Sequence, residues 1–368
     1  MHLEALELHR VALPMIAPFR TSFGVEQERD VLFVRAISSD GAEGWGECVT
    51  SKSPSYSSEY TDAALLTIRK FIAPPLFSAP ITALEVGERL SAIRGHRMSK
   101  AAVEMAILDA ELRTTGQSFA QFLGGVRDRV DCGVSVGIED DIARLIDIVD
   151  RFIGEGYKRI KLKIEPGWDI EPVRAVRDKF GDDLLLQVDA NAAYTVADAR
   201  HLAGLDEFGL LLIEQPLPEE DIAGHVELAR TVKTPICLDE SITSAEIAAD
   251  AIARRACSII NIKAGRVGGY IEARRIHDLC QAHGVPVWCG GMLESGLGRA
   301  ANVALASLPN FTLPGDTSAS DRYYAQDVTE PFVLDNGQLT VPTGPGLGVQ
   351  PLPDVLEKIT REVETIRP

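Results

Sequence analysis

The sequence predicts an α/β protein: a (β/α)8 TIM-type barrel carrying an N-terminal α+β capping domain. From about Asp131 onward, short apolar runs alternate with helical stretches. Eight such runs occur, CGVSVGI, RIKLKI, LLLQVDAN, GLLLIEQPL, TPICLDES, SIINIKAG, VPVWCGG and NFTLPGD. They are almost continuously apolar, which implies strands buried on both faces, as in a parallel sheet. The length of 368 residues exceeds one minimal core and suits a barrel of ~250 residues with a smaller domain beside it.

The elements follow in order. Residues 2–12 and 31–37 (VLFVRAI) read as strands, with the glycine-rich GAEGWGE as a turn between strands. Apolar residues recur at helical spacing over 61–71 and 82–93. SKAAVEMAILDAELRTTG predicts a strong helix with Ser99 as its N-cap and Gly116 just past its end. Between the barrel strands lie helical segments such as DIARLIDIVDRFIGEGY, EPVRAVRDKFG, SAEIAADAIARRA and GYIEARRIHDLCQAHG. Near the end, VPTGPGLGVQP reads as a loop returning to the first domain. The division expected is a capping domain with lid loops over 1–125, a barrel holding the site over 126–320, and a returning C-terminal segment over 321–368.

Composition narrows the function. Hydrophobic content of 45% with 25% charged residues is ordinary globular chemistry. A net charge of −17 repels nucleic acid and anionic membranes, so neither is expected as a partner. It also means that an anionic substrate needs a local positive site. Six scattered cysteines without a C-x-x-C pair suit a reduced, cytoplasmic protein. The charged N-terminus has no signal-peptide core, and no run nears the ~18 apolar residues of a membrane span. A soluble homo-oligomer acting on a small molecule is expected.

Four charged residues end successive strand candidates: Asp189, Glu214, Asp239 and Lys263, separated by 25, 25 and 24 residues. Lys163 lies 26 residues before Asp189 and extends the register back one strand. In a barrel the C-terminal strand ends converge on one mouth. A lone carboxylate past a strand is more often a helix cap or turn residue. Three at constant repeat spacing would repel one another unless a cation joined them. An oxygen-only donor set suits a hard ion such as Mg²⁺. Lys161 and Lys163 point to the same face of the second barrel strand, because side chains repeat every two residues. Inward lysines are rarely structural. Crowding by a second ammonium and a divalent cation is expected to pull a lysine pKa down toward working pH. A neutral Lys163 then accepts a carbon-bound proton, with Lys263 facing it across the cavity. Two bases on opposite faces of one carbon are what a 1,1-proton transfer requires.

These residues resemble the enolase superfamily, in its muconate-lactonizing subgroup, through the K-x-K, the D/E/D set and the lysine of the sixth strand. KLKIEPGWD, LLIEQPL, CLDESI, NIKAGRVGG and VWCGGMLESGLGRAANVALASLPNFTLPGDTSAS are similar to its N-acylamino-acid racemase and o-succinylbenzoate synthase branch. The resemblance covers essentially the whole chain. In enolase-superfamily sites a Lys or His base acts with Mg²⁺ on an enediolate. The resemblance implies that Asp189, Glu214 and Asp239 bind Mg²⁺ (with Mn²⁺ or Co²⁺ as substitutes) and that Lys163 and Lys263 are the acid/base pair. Lys161 and Asn191 would support the substrate carboxylate. Ser135, Gly291 and Met292 would line the side-chain or acyl pocket, with Phe19 and Thr50 in the two lid loops. Glu240 and Arg266 would stand behind these groups, Arg266 tuning Lys263. The implied activity is racemisation of N-acyl, notably N-succinyl, amino acids, with o-succinylbenzoate synthesis for the menaquinone pathway at the same site. Alternatives are o-succinylbenzoate synthase as the main role, or a muconate cycloisomerase or dipeptide epimerase; the last lacks here the D-x-D that would hold an α-ammonium.

Other signals carry less. GLGRAA at 296–301 matches a dinucleotide fingerprint with Asp316 twenty residues on, yet MLES separates it from its strand. None of the seven histidines ends a strand candidate, and neither G-x-S-x-G nor a P-loop occurs.

Overall fold

A computed structural model describes residues 1–368. The chain opens with a hairpin whose strands, β1 (Leu3–Thr21) and β2 (Gly24–Ser38), run well past the expected ends. Their register slips between Pro14 and Phe19, so the outer half forms an irregular arm. Pro14, Pro18 and the charged stretch from Glu26 to Asp30 hide that arm in the sequence, because prolines and charges read as loop. Strand β3 (Glu43–Cys48) completes the sheet on the inner side.

The long helix Arg97–Thr115 packs on this sheet. Its C-terminus is Gly116 at φ 71°, as expected, but its N-cap is His96 rather than Ser99. The amides of Met98 and Ser99 instead donate to the Glu59 carboxylate at 2.9 and 3.2 Å. A charge brought from the loop after β3 thus replaces a local cap. Contact between β3 and the helix is at backbone distance. A Cβ on Gly46 would stand 2.0 Å from the Ala102 carbonyl oxygen, and one on Gly44 would stand 2.2 Å from the Ala110 nitrogen. Gly46→Ala is therefore expected to destabilise the protein by at least ~1–3 kcal/mol, the usual cost of overpacking. A urea midpoint equal to wild type would show that the helix can yield.

The remainder builds the barrel. After the short β4 (Arg129–Asp131) come β5 (Gly133–Val136), β6 (Arg159–Lys163), β7 (Leu185–Asp189), β8 (Ile213–Glu214), β9 (Ile236–Leu238), β10 (Ile259–Ile262) and β11 (Val287–Cys289). The strands β5 to β11 form one parallel seven-stranded sheet in sequence order. The eighth run, NFTLPGD, is no regular strand. It bridges Val287 through Phe311 on one side and Cys132 through Gly315 on the other, closing the ring with two single contacts. Pro314 lacks the amide a ladder needs, which explains the irregularity.

Apolar packing lies mostly outside the ring. One cluster of 89 buried residues spans both parts of the chain, whereas a separate cluster holds only Leu212, Cys237, Ile259 and Trp288. Above those four, charged side chains fill the barrel interior.

Two buried glutamates tie the N-terminal part to the barrel. Glu104 accepts from the amides of Tyr270 and Ile271 at 2.5 and 3.1 Å, at the start of helix Tyr270–Ala282. Glu47 accepts from the Ser295 and Gly298 amides at 3.0 and 2.9 Å, at the start of helix Gly296–Ala306. Burial pushes their carboxyl groups up to about 8 and about 7, against the pull of those donors. The C-terminal stretch also returns: the Leu347 amide donates to Asp109 Oδ1 at 2.7 Å. After β12 (Gln338–Thr340), strand β13 (Thr360–Ile366) pairs antiparallel with β1. All six cysteines are buried and free. No helix is long and apolar enough to cross a membrane.

Candidate active site

At the C-terminal ends of the barrel strands the parallel register aligns charged residues. Lys161 faces Gln187, Lys163 faces Asp189, and Asp189 faces Glu214. Alternation along β6 sends Arg159, Lys161 and Lys163 inward together. Asp239 follows β9 and Lys263 follows β10. Above this layer lies a cavity of about 210 Å³. It is smaller than the ~300–1,000 Å³ of drug-sized sites, so it suits a small substrate.

The structure brings most of the expected residues together. Lys161, Lys163, Lys263, Ser135, Asn191, Gly291, Met292 and Phe19 all line the cavity. Asp189, Glu214 and Asp239 lie beneath the lysines, each 0% exposed. Glu240 takes a 2.9 Å hydrogen bond from Asn191 Nδ2, and Arg266 pairs with Asp239 while donating to the Ile242 carbonyl at 2.9 Å. Thr50 is the exception. It is fully buried and its hydroxyl meets that of Thr61 at 3.1 Å, away from the cavity lining. Its neighbours Ser51, Ser53, Ser55 and Tyr56 do line the cavity.

The carboxylates are turned onto cations. Lys163 Nζ donates to Asp189 Oδ2 at 2.6 Å and to Asn191 Oδ1 at 2.7 Å. Lys161 Nζ lies 2.9 Å from Glu214, 3.3 Å from Asp189 and 2.7 Å from Asp316. Lys263 Nζ lies 2.7 Å from Asp239 Oδ2 and 3.2 Å from the Tyr56 hydroxyl. As these side chains stand, no three carboxylate, imidazole or thiol groups are gathered closely enough to hold an ion. Competition accounts for this arrangement. Long flexible ammonium groups reach each buried anion directly and neutralise it pairwise.

The donor set nevertheless fits a hard cation. Three fully buried carboxylates end three neighbouring strands, and Asp239 Oδ2 receives no well-directed hydrogen bond despite Lys263 beside it. A buried carboxylate oxygen without an aimed donor is a coordination position in waiting.

Burial alone would raise Asp189, but Lys163 and Lys161 hold it well below the usual carboxylate range. Glu214 is raised by burial and by the charge on Asp189. Lys161 and Lys263 are pulled two ways by their surroundings. Burial would depress both, yet surrounding anionic oxygens, Asp316 and Glu214 foremost among the carboxylates at Lys161, hold them above the ordinary lysine value.

Two neighbours escaped the sequence reading as site residues. Tyr56 covers Lys263 with its ring 5.0 Å from Nζ. Asp316, noted only as part of a fingerprint, stands in the cavity wall with Arg159 Nη1 at 2.9 Å. Its signal was present: it ends the eighth run, 53 residues or about two repeats after Lys263. The fingerprint itself has no room for a pyrophosphate, because Glu47 occupies the N-terminus of helix Gly296–Ala306.

Comparison with known proteins agrees with this geometry. Residues 5–124 match the mandelate racemase / muconate lactonizing enzyme N-terminal domain, and residues 144–355 match the enolase C-terminal domain-like family. An N-succinylamino acid racemase from Amycolatopsis sp is 65% identical, covering 98% of each chain. An o-succinylbenzoate synthase from Geobacillus kaustophilus is 47% identical over 95% of this chain and 93% of its own. Among solved structures, an enolase superfamily member from Listeria innocua superposes with a TM-score of 0.96 at 39% identity, covering 100% of this chain and 99% of its own. A dipeptide epimerase from Cytophaga hutchinsonii, complexed with Mg and a dipeptide, gives a TM-score of 0.90 at 26% identity, with 100% of each chain covered. With both halves matched in order and near-complete coverage at such identity, the chain belongs to the mandelate racemase / muconate lactonizing enzyme group of the enolase superfamily.

Proposed function

We propose that this enzyme removes the proton α to a carboxylate, racemising N-acyl amino acids, N-succinyl ones above all, and that it forms o-succinylbenzoate at the same site. One observation carries the reading. Lys163 at the end of β6 and Lys263 just after β10 open into one cavity, with the acid-bearing strands β7, β8 and β9 between them. The racemase and synthase relatives support both substrate classes.

Asp189, Glu214 and Asp239 would hold Mg²⁺, a choice supported by their oxygen-only chemistry and by the Mg of the epimerase neighbour. When bound, the ion supplies Lewis-acid stabilisation of the charge that grows on the substrate carboxylate. Lys161 faces that carboxylate as a fixed positive charge. Neutral Lys163 takes the α-proton: the C–H bond breaks, its electron pair moves into an enediolate, and the amine becomes an ammonium. In racemisation, protonated Lys263 then delivers a proton to the opposite face. In o-succinylbenzoate synthesis the same electron pair expels the β-hydroxyl, which leaves as water with the proton returned by Lys163. Lys263 there remains a stabilising cation.

The test is exchange in D₂O with Mg²⁺ and each enantiomer of N-succinyl-phenylalanine. Native protein washes deuterium into the α-position from both enantiomers, and Lys263→Ala retains exchange from one only. No exchange from either enantiomer by native protein removes the racemase reading, and equal loss from both in the variant removes the two-face mechanism. A comparison of kcat/KM on N-succinyl amino acids and on 2-succinyl-6-hydroxy-2,4-cyclohexadiene-1-carboxylate ranks the two activities.

A further inference from the structure

We infer that Asp316 is a positioning residue for the reaction: anchored from below by Arg159, it fixes the ammonium of Lys161 in the cavity wall independently of the other carboxylates.

Lys161 has three anionic neighbours, Asp316 at 2.7 Å, Glu214 at 2.9 Å and Asp189 at 3.3 Å. Two of them belong to the set assigned above to the ion, an assignment on which this inference rests. An ion competes for those oxygens, and a lysine with four rotatable bonds then needs another partner to keep its place. Asp316 is the third carboxylate and the one outside that set.

Asp316 is itself immobilised. Arg159 is 0% exposed, meets Asp316 Oδ1 at 2.9 Å and donates to the Pro314 carbonyl at 2.8 Å. The room for this guanidinium comes from Gly133 on β5, where a Cβ would stand 2.3 Å from Arg159 Cζ. The Trp288 ring lies beneath both cations, 5.2 Å from Arg159 Cζ and 4.7 Å from Lys161 Nζ. From above, the Ser135 hydroxyl donates to Asp316 Oδ2 at 3.3 Å. A buried, planar arginine therefore holds by charge, without a well-directed hydrogen bond to Oδ1, a carboxylate that in turn orients a flexible lysine. Misplacing a charge at a reacting carboxylate by about 1 Å can cost ~10²-fold in rate, so such an anchor has catalytic weight.

A double-mutant cycle on Asp316→Asn and Lys161→Met tests the inference, read as the dissociation constant of racemic N-succinyl-phenylalanine with Mg²⁺. The racemate is already at equilibrium, so binding can be followed in variants that no longer turn over. Asp316→Asn is expected to weaken binding by ~10-fold in the native background and by less than ~2-fold once Lys161 is Met. Equal losses in both backgrounds overturn the inference, because a carboxylate serving the fold alone acts additively. Asp316→Ser, with the same expected coupling, replaces Asp316→Asn if the latter does not fold. A crystal structure of the Asp316 variant provides a readout free of substrate: Lys161 Nζ shifts onto Asp189 and Glu214, and an unmoved ammonium overturns the inference. Native protein that fails to bind the racemate would count against the proposed function, while the crystal structure still decides the role of Asp316.

Discussion

Lys163→Ala abolishes racemisation, lowers α-proton exchange by ~10²–10⁴-fold from the one enantiomer whose α-proton faces Lys163, and lowers o-succinylbenzoate formation by a similar factor, the range that a positioned general base contributes. Both proposed reactions break a C–H bond α to a carboxylate, so Lys163 serves in both. The loss is chemical rather than structural. Asp189 keeps Lys161 at 3.3 Å when Lys163 is removed, and the Asn191 amide still donates to Asp189 Oδ1 at 3.0 Å. No buried carboxylate is orphaned, so the thermal midpoint stays close to that of the native protein. Deuterium exchange followed by proton NMR measures the effect, and a variant exchanging at the native rate would show that another group is the base. Lys263→Ala spares the enantiomer that Lys163→Ala loses, and these complementary losses assign one lysine to each face.

Exhaustive treatment with EDTA abolishes both activities, and added Mg²⁺ or Mn²⁺ restores them. Asp189, Glu214 and Asp239 are wholly buried, and in pairs with lysines they are neutralised but not coordinated. An ion that binds the native state alone stabilises it by ~2.7 kcal/mol at a concentration of about 100 Kd. Mg²⁺ therefore raises the melting temperature of native protein, and Asp239→Asn reduces that rise. Activity that survives complete chelation, or a melting temperature indifferent to Mg²⁺, would remove the ion from the mechanism.

The barrel and its charged layer were legible for the same physical reason. A repeat of about 25 residues places equivalent positions at one mouth, so spacing alone brings Lys163, Asp189, Glu214, Asp239 and Lys263 to neighbouring strand ends. Asp316 follows the same rule, but the proline-broken eighth run obscured its register. The outer hairpin was hidden because its pairing depends on a register slip that no alternation pattern records. Thr50 and Tyr56 share one loop, and only its three-dimensional path decides that the tyrosine turns toward Lys263 while the threonine turns away. Likewise Ser99 had the chemistry of an N-cap, but Glu59, forty residues earlier, reached the amide first. Local rules read local competitions well and lose those decided by a distant side chain.

The glutamates that plug two successive barrel helices have a mechanical consequence. Glu104 grips the segment after β10 and Glu47 the segment after β11, both in dry surroundings, so wholesale tilting of the N-terminal part would strip two anions of their donors at once. Admission of substrate is expected instead at the hairpin tip, where Phe23 and Val25 are 38% and 54% exposed, and at the serine-rich stretch that carries Tyr56. Limited proteolysis should nick those two stretches and be slowed there by substrate, leaving the helix Arg97–Thr115 untouched; cuts within that helix would mean that the whole cover swings.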